Sequence, residues 1–371
     1  MTDPVLSPAA DPLRFLGWNA RCEAAAAAHR QRGYGFGRVT VESRETYILA
    51  SVRGERTAEV SGRFQFEAET PADFPKVGDW VAITEYPDEA KAVIHAVLPR
   101  GARLSRRAAG RRTEEQLLAA NIDGIVLVQG LDFDFNLRRL ERQMVMIRES
   151  GAAPIVLLNK ADLLPESGSA VARVRDTLPG VEVLAVSALN ESGLDALRAR
   201  LRPAETYVLI GSSGVGKSTL INKLLGRDRQ AAAPVREADS KGRHTTSRRE
   251  LIVLPGGALL IDTPGVREFQ LWDTEDGMDE VFADITALAA ECRFGDCTHL
   301  RETGCAVLAA VETGALPSAR YQSWLKLRKE QAFLETKLRE KPGSDKQAWS
   351  KAIHRAMKSL RKVDPKTRFR D

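Results

Sequence analysis

Residues 211–219 read GSSGVGKST, set between the apolar run TYVLI and the helix-like TLINKLLG. No other stretch narrows the possible folds as far. The pattern G-x-x-x-x-G-K-[ST], placed after a strand and before a helix, is a phosphate loop. Its glycines let successive backbone N–H groups converge on phosphate oxygens, and the dipole of the following helix adds to that field. The spacing assigns Gly211, Ser212, Ser213, Gly214, Val215, Gly216, Lys217, Ser218 and Thr219 to a nucleotide site. In that site Lys217 bridges the terminal phosphates and the Ser218 hydroxyl ligates Mg²⁺. The bland alternative is a glycine turn packed beneath a sheet.

The surroundings carry the same chemistry. LLIDTPG ends a strand, with Asp262 43 residues after Thr219 of the loop, and offers Asp262 to Mg²⁺ and the Gly265 N–H to a γ-phosphate. Between them lies DSKGRHTTSRREL, whose Thr245 and Thr246 are candidates for a switch hydroxyl closing on Mg²⁺. Upstream, LLNKADLL places Asn159, Lys160 and Asp162 just after an apolar run. A carboxylate such as Asp162 accepts the paired donors of a guanine edge and is left unsatisfied by adenine. Asn159 is assigned toward the opposite edge, with the Lys160 stem along the ring plane. Ser187 and Ala188, ending LAVSA, are expected to hold the remaining base oxygen through backbone N–H groups.

The order is unusual, because the base-reading residues precede the phosphate loop by about fifty positions. Chain order can be permuted while spatial order survives if the original termini lie close together. The expectation is therefore a circularly permuted GTPase domain. From about residue 117, short unalternated apolar runs (DGIVLVQ, PIVLLN, VEVLAVSA, TYVLIG, ELIVLP, ALLIDTP) are interleaved with helical patterns. That rhythm predicts a mostly parallel sheet covered on both faces.

Before it, five short alternating segments within residues 33–99 predict a small β-barrel of the oligonucleotide-binding type. Residues 1–32 are a helical lead-in with an alanine run. Arg100 to Arg112 contains six arginines, readable as a linker or as a nucleic-acid-facing strip. The predicted layout is a lead-in over 1–32, a barrel over 33–105, a permuted GTPase domain over 113–276 and a zinc-binding helical domain over 277–371.

Cys292, Cys297, His299 and Cys305 crowd into fourteen residues. Three thiolates and an imidazole make a closed tetrahedral set for one structural Zn²⁺; reduced buried cysteines are the alternative. Net charge is +5, but residues 316–371 alone carry +10 and the remainder −5. A basic tail on an acidic body points to a polyanionic partner such as RNA, or to a solvated helical face. No apolar run is long enough to span a bilayer and no secretory signal opens the chain, so a cytoplasmic location without a membrane partner is expected. A monomer is the default.

These motifs, with VGDWV, LPRGARLSRR, AANIDGIVLV, GRHTTS and DTPGVREF, resemble the ribosome-small-subunit-dependent GTPase family RsgA (also called YjeQ or EngC) over nearly the whole chain. The resemblance implies a barrel, a permuted GTPase and a zinc domain. It also implies GTP hydrolysis stimulated by the small ribosomal subunit, rRNA contact and a role late in subunit maturation. Lys217, Ser218, Thr246 and His244 are the catalytic candidates. Val266 stands where Ras-like GTPases carry a water-orienting glutamine, so intrinsic hydrolysis is expected to be slow, with another group or the ribosome completing the site. His244 is the candidate group, and a loop histidine with no role is the alternative. Two other classes compete: a P-loop ATPase or kinase with a zinc module, and an RNA-binding scaffold that uses nucleotide only for stability.

Overall fold

The computed structural model describes residues 11–43, 46–107, 115–164, 167–226, 249–262 and 275–339. Two helices lead in, α1 (Pro12–Phe15) and α2 (Ala20–Gln31). The Asn19 side chain caps α2 by accepting the Cys22 N–H, and α2 buries Cys22 and Ala26 against the rest of the chain.

The barrel comprises β1 (Gly35–Glu42), β2 (Tyr47–Ser51), β3 (Gly54–Val60), α3 (Gly62–Glu67), β4 (Trp80–Glu85) and β5 (Lys91–Val97). Pairing runs β1-β2-β3-β5-β4 and returns to β1, with β3 and β5 parallel and the other pairs antiparallel. A bulge at Val39/Val41 lets β1 bend between two partners. Val39, Leu49, Val81, Ile83 and Ile94 fill the interior with no exposed surface, which is the inward half of the alternation read from the sequence.

A hairpin follows, β6 (Arg103–Arg107) with β7 (Glu115–Ala120). The arginine-rich stretch is therefore in part a strand and not a plain linker. The nucleotide domain then runs through β8 (Gly124–Gly130), α4 (Leu137–Ser150), β9 (Ala153–Asn159), α5 (Ser167–Thr177), β10 (Glu182–Ala185), α6 (Leu194–Arg200), β11 (Thr206–Ile210), α7 (Lys217–Leu225), β12 (Arg249–Val253) and β13 (Leu259–Asp262). The sheet order is β10-β9-β8-β11-β13-β12, parallel except for β12. Counted from the phosphate strand β11, that order is 6-5-4-1-3-2. The base-reading strand β9 thus precedes the phosphate strand β11 along the chain and sits two strands from it in the sheet.

All seven residues of β8 are buried. Ile125 and Leu127 pack on one face with Leu140, Met144 and Val145 of α4, while Val126 and Val128 pack on the other with Leu220, Ile221 and Leu224 of α7. The period of two explains why this strand is an unbroken apolar run.

β1 also pairs with β12 through Val41 and Glu42, so one continuous sheet joins barrel and nucleotide domain. Arg38 seals the joint. It is 1% exposed, donates to the Thr206 hydroxyl at 2.8 Å and to the carbonyls of Gly78, Asn121 and Leu16, and lies over Trp80. Burial pulls its guanidinium down to about 10.

The last described segment holds α8 (Glu275–Val281), α9 (Ala283–Ala290), α10 (Ala306–Glu312) and α11 (Ser318–Arg339). Among the described residues no helix is long and apolar enough to cross a membrane.

Candidate functional site

The C-terminal ends of β8, β9, β11 and β13 share one edge of the sheet, where a parallel α/β sheet places its ligands. At that edge β11 turns into the phosphate loop. Gly211 has φ +151° and a side chain there would lie 2.2 Å from the Val128 carbonyl oxygen; Gly214 (φ +79°) and Gly216 (φ +94°) are also left-handed. Gly216 caps α7 without a side-chain bond, which leaves the helix N-terminus open for an anion. Ser213 and Gly214 are exposed at the crest, Val215 is buried beneath, and Ser218 and Thr219 sit half-buried in the first turn of α7. Lys217 Nζ donates to the carbonyls of Gly211 at 2.7 Å and Ser212 at 2.6 Å, so the ammonium is held along the loop.

Asn159 ends β9, 2% exposed. Its Nδ2 donates to the Val215 carbonyl at 2.8 Å, and its Oδ1 accepts the Ala188 N–H at 3.0 Å. One side chain therefore joins the base-reading segment, the phosphate loop and the SA turn. The Ser187 N–H is bonded to the Ser192 carbonyl, and the Ser187 hydroxyl donates to the Asp162 carboxylate. Both backbone N–H groups assigned to the base oxygen are thus engaged with protein. Lys160 is left-handed (φ +65°) and its ammonium meets Asp132 at 2.7 Å.

Asp132, Asp134 and Arg139 were not singled out from the sequence, although the acidic turn DFDF follows a strand at the ligand edge. Burial pushes the Asp132 carboxyl up, but bonds from Lys160 and from the Asp134 N–H outweigh it and leave the group below its usual range. Arg139 pairs with Asp134 at 2.8 Å and donates to the Ser212 hydroxyl at 2.9 Å.

Asp262 ends β13, half-buried, on the strand beside β11. The Ser218 hydroxyl and the Asp262 carboxylate are hard oxygen donors of the kind Mg²⁺ takes. His244, Thr245, Thr246, Gly265 and Val266 lie outside the described residues.

The ligand atoms of Cys292, Cys297, His299 and Cys305 all fall within 4.8 Å of one another. Cys292 and Cys305 sulfurs are 3.8 Å apart, and each is 3.5 Å from His299 Nδ1. Tetrahedral zinc with ordinary bond lengths puts two sulfurs about 3.8 Å apart and sulfur about 3.6 Å from nitrogen. The donor set fits one closed zinc site. Its frame is made by Glu302, which accepts the N–H groups of Thr298, Leu300 and Arg301, and by the Tyr321 hydroxyl donating to the His299 carbonyl at 2.6 Å.

The family described as RsgA GTPase matches residues 97–272, which hold both the NKAD residues and the phosphate loop. A second match, described as ABC transporter, spans residues 194–367 and so includes the phosphate loop but not NKAD. The chain is 48% identical over 330 residues to "Small ribosomal subunit biogenesis GTPase RsgA" of Opitutus terrae, covering 86% of this chain and 90% of that one. It is 43% identical to the protein of the same name from Methanosarcina acetivorans, covering 86% of each. In fold it is similar to YjeQ from Thermotoga maritima, with TM-score 0.59 and 23% identity over 81% of this chain and 99% of that one. It is also similar to YloQ, described as a circularly permuted GTPase, with TM-score 0.58 and 23% identity over 84% and 97%.

Proposed function

The chain belongs to the RsgA family of GTPases, and from that premise we propose that it hydrolyses GTP to GDP and phosphate on the small ribosomal subunit, assisting late maturation. The observation that supports this reading best is the Asn159 bridge. Its amide spans Val215 and Ala188, so the guanine-reading segment and the phosphate loop belong to one site. A generic ATPase or kinase has no need of such a base reader.

Asp162 selects guanine by accepting its ring N–H and amine, with Ser187 orienting the carboxylate. The N–H groups of residues 211–219 and the ammonium of Lys217 bind the phosphates. Ser218, with Thr246 and Asp262, holds Mg²⁺, which neutralises charge developing on the phosphates. Val266 cannot orient a water molecule, so the subunit or a residue such as His244 completes the site. Cys292, Cys297, His299 and Cys305 hold one structural Zn²⁺ that fixes the C-terminal helices. The +10 segment from residue 316 supports contact with rRNA, and the protein acts as a cytoplasmic monomer.

The test is GTP turnover with and without purified small subunits. Strong stimulation by small subunits, and none by large subunits or naked RNA, is expected. Stimulation by either of those instead would sink the reading.

A further inference from the structure

The turn after β8 belongs to neither nucleotide motif, yet it touches both. Asp132 holds the Lys160 ammonium at 2.7 Å, and its Oδ1 accepts the Asp134 N–H at 3.1 Å. The Asp134 carboxylate pairs with Arg139, whose other bond is to Ser212 in the phosphate loop. The turn is itself pinned to β9, because the Leu131 N–H donates to the Asn159 carbonyl at 2.8 Å. A side chain at Gly130 would come 3.0 Å from the Asp132 carboxylate, which would have to give by a few tenths of an ångström.

We propose that Asp132 is a positioning residue for base recognition: it pins the Lys160 ammonium so that the lysine stem forms one wall of the guanine slot. Asp134 and Arg139 tie that wall to the phosphate loop. The inference rests on the reading of Asn159–Asp162 as the guanine reader and adds a residue to it. Lys160 is 31% exposed and has four rotatable carbons, so without an anchor its stem samples many rotamers. Asp132 is 13% exposed and fixed by its own turn, which makes it a rigid anchor for a flexible partner.

The experiment measures GDP and ADP binding by calorimetry on the full chain, for the parent, D132N, K160A and D132N/K160A. Asparagine keeps the acceptor for the Asp134 N–H and removes the charge that holds the lysine. D132N is expected to weaken GDP binding about tenfold and ADP binding far less, and the double variant to match K160A alone. Overturning results are a D132N affinity within twofold of the parent, equal losses for GDP and ADP, or losses that multiply in the double variant. The last two are what a general structural role produces. D162N is run alongside: if the parent itself binds ADP as tightly as GDP and D162N changes nothing, the guanine reading fails and the proposal falls with it.

Discussion

Arg320 of α11 donates to the fully buried carboxylate of Glu141 in α4 at 2.9 Å, across 179 residues of sequence. The same guanidinium pairs with Asp284 at 2.6 Å, donates to the Val281 carbonyl at 2.8 Å and lies over Phe282. Arg138 supplies a second donor to Glu141. This cluster seats the C-terminal helices on the nucleotide domain. Burial opposes the charge on Arg320, but the bonds to Asp284 and Glu141 prevail and raise its pKa.

Removing one partner of a buried pair costs about 3–5 kcal/mol, and in R320M the buried Glu141 is left with Arg138 as its partner. R320M is therefore expected to lower the denaturation midpoint strongly. R320M/E141M, which removes both charges, should recover much of that loss, because an apolar pair of similar volume avoids the desolvation cost. Chemical denaturation of the three proteins checks this; a double variant as unstable as R320M would contradict it.

The zinc frame leads to a second prediction. His299 lies 5.6 Å from the Trp324 ring and its carbonyl is held by Tyr321, so the metal loop and α11 share a core. Metal analysis should find one zinc per chain, and C305S should lose it. Chelation should change Trp324 fluorescence and raise amide exchange in α11 while the barrel keeps its protection.

His95 gives a pH prediction. Burial alone holds its pKa below 6.5; the ring stacks on Tyr34 at 4.6 Å, and Nε2 lies 3.0 Å from the Thr84 hydroxyl. Because the folded value is below the unfolded one, the unfolded chain binds the proton more readily. The stability contribution is thus present above the unfolded value and falls as pH drops below it. An NMR titration of His95 should show a midpoint under 6.5, and T84V should move that midpoint.

What was legible in the sequence follows from which residues must be of one type locally. Gly211 and Gly216 are demanded by their own backbone angles and near contacts, so the phosphate loop can be read from nine letters. The barrel and the permuted sheet were legible because alternation and unbroken apolar runs report one face or two faces buried. Arg38, Asp132 and Arg139 were not, since their partners lie 168, 28 and 73 residues away. Nor was β7, whose EQLLAA is made of good helix formers. Its pairing with Arg103–Arg107 overrides that local preference.

The contact between Asn159 and the phosphate loop can be attacked from either side. N159A leaves the Ala188 N–H and the Val215 carbonyl without their partner. Stranded buried groups cost about 1–3 kcal/mol; to the extent that this cost falls on the nucleotide-competent arrangement of loop and base reader, GDP binding is expected to weaken, by up to about 150-fold. G216A approaches from the loop. Its new methyl would lie 2.4 Å from Asn159 Nδ2, at a backbone angle of +94° that disfavours any residue but glycine. The clash drives Asn159 off Val215 and strains the start of α7, so G216A should weaken GDP binding at least as much as N159A. In the double variant the clash is gone but the backbone strain remains. N159A/G216A should therefore bind GDP more tightly than the product of the two single losses implies. Losses that simply multiply would show that the loop and the base reader act independently.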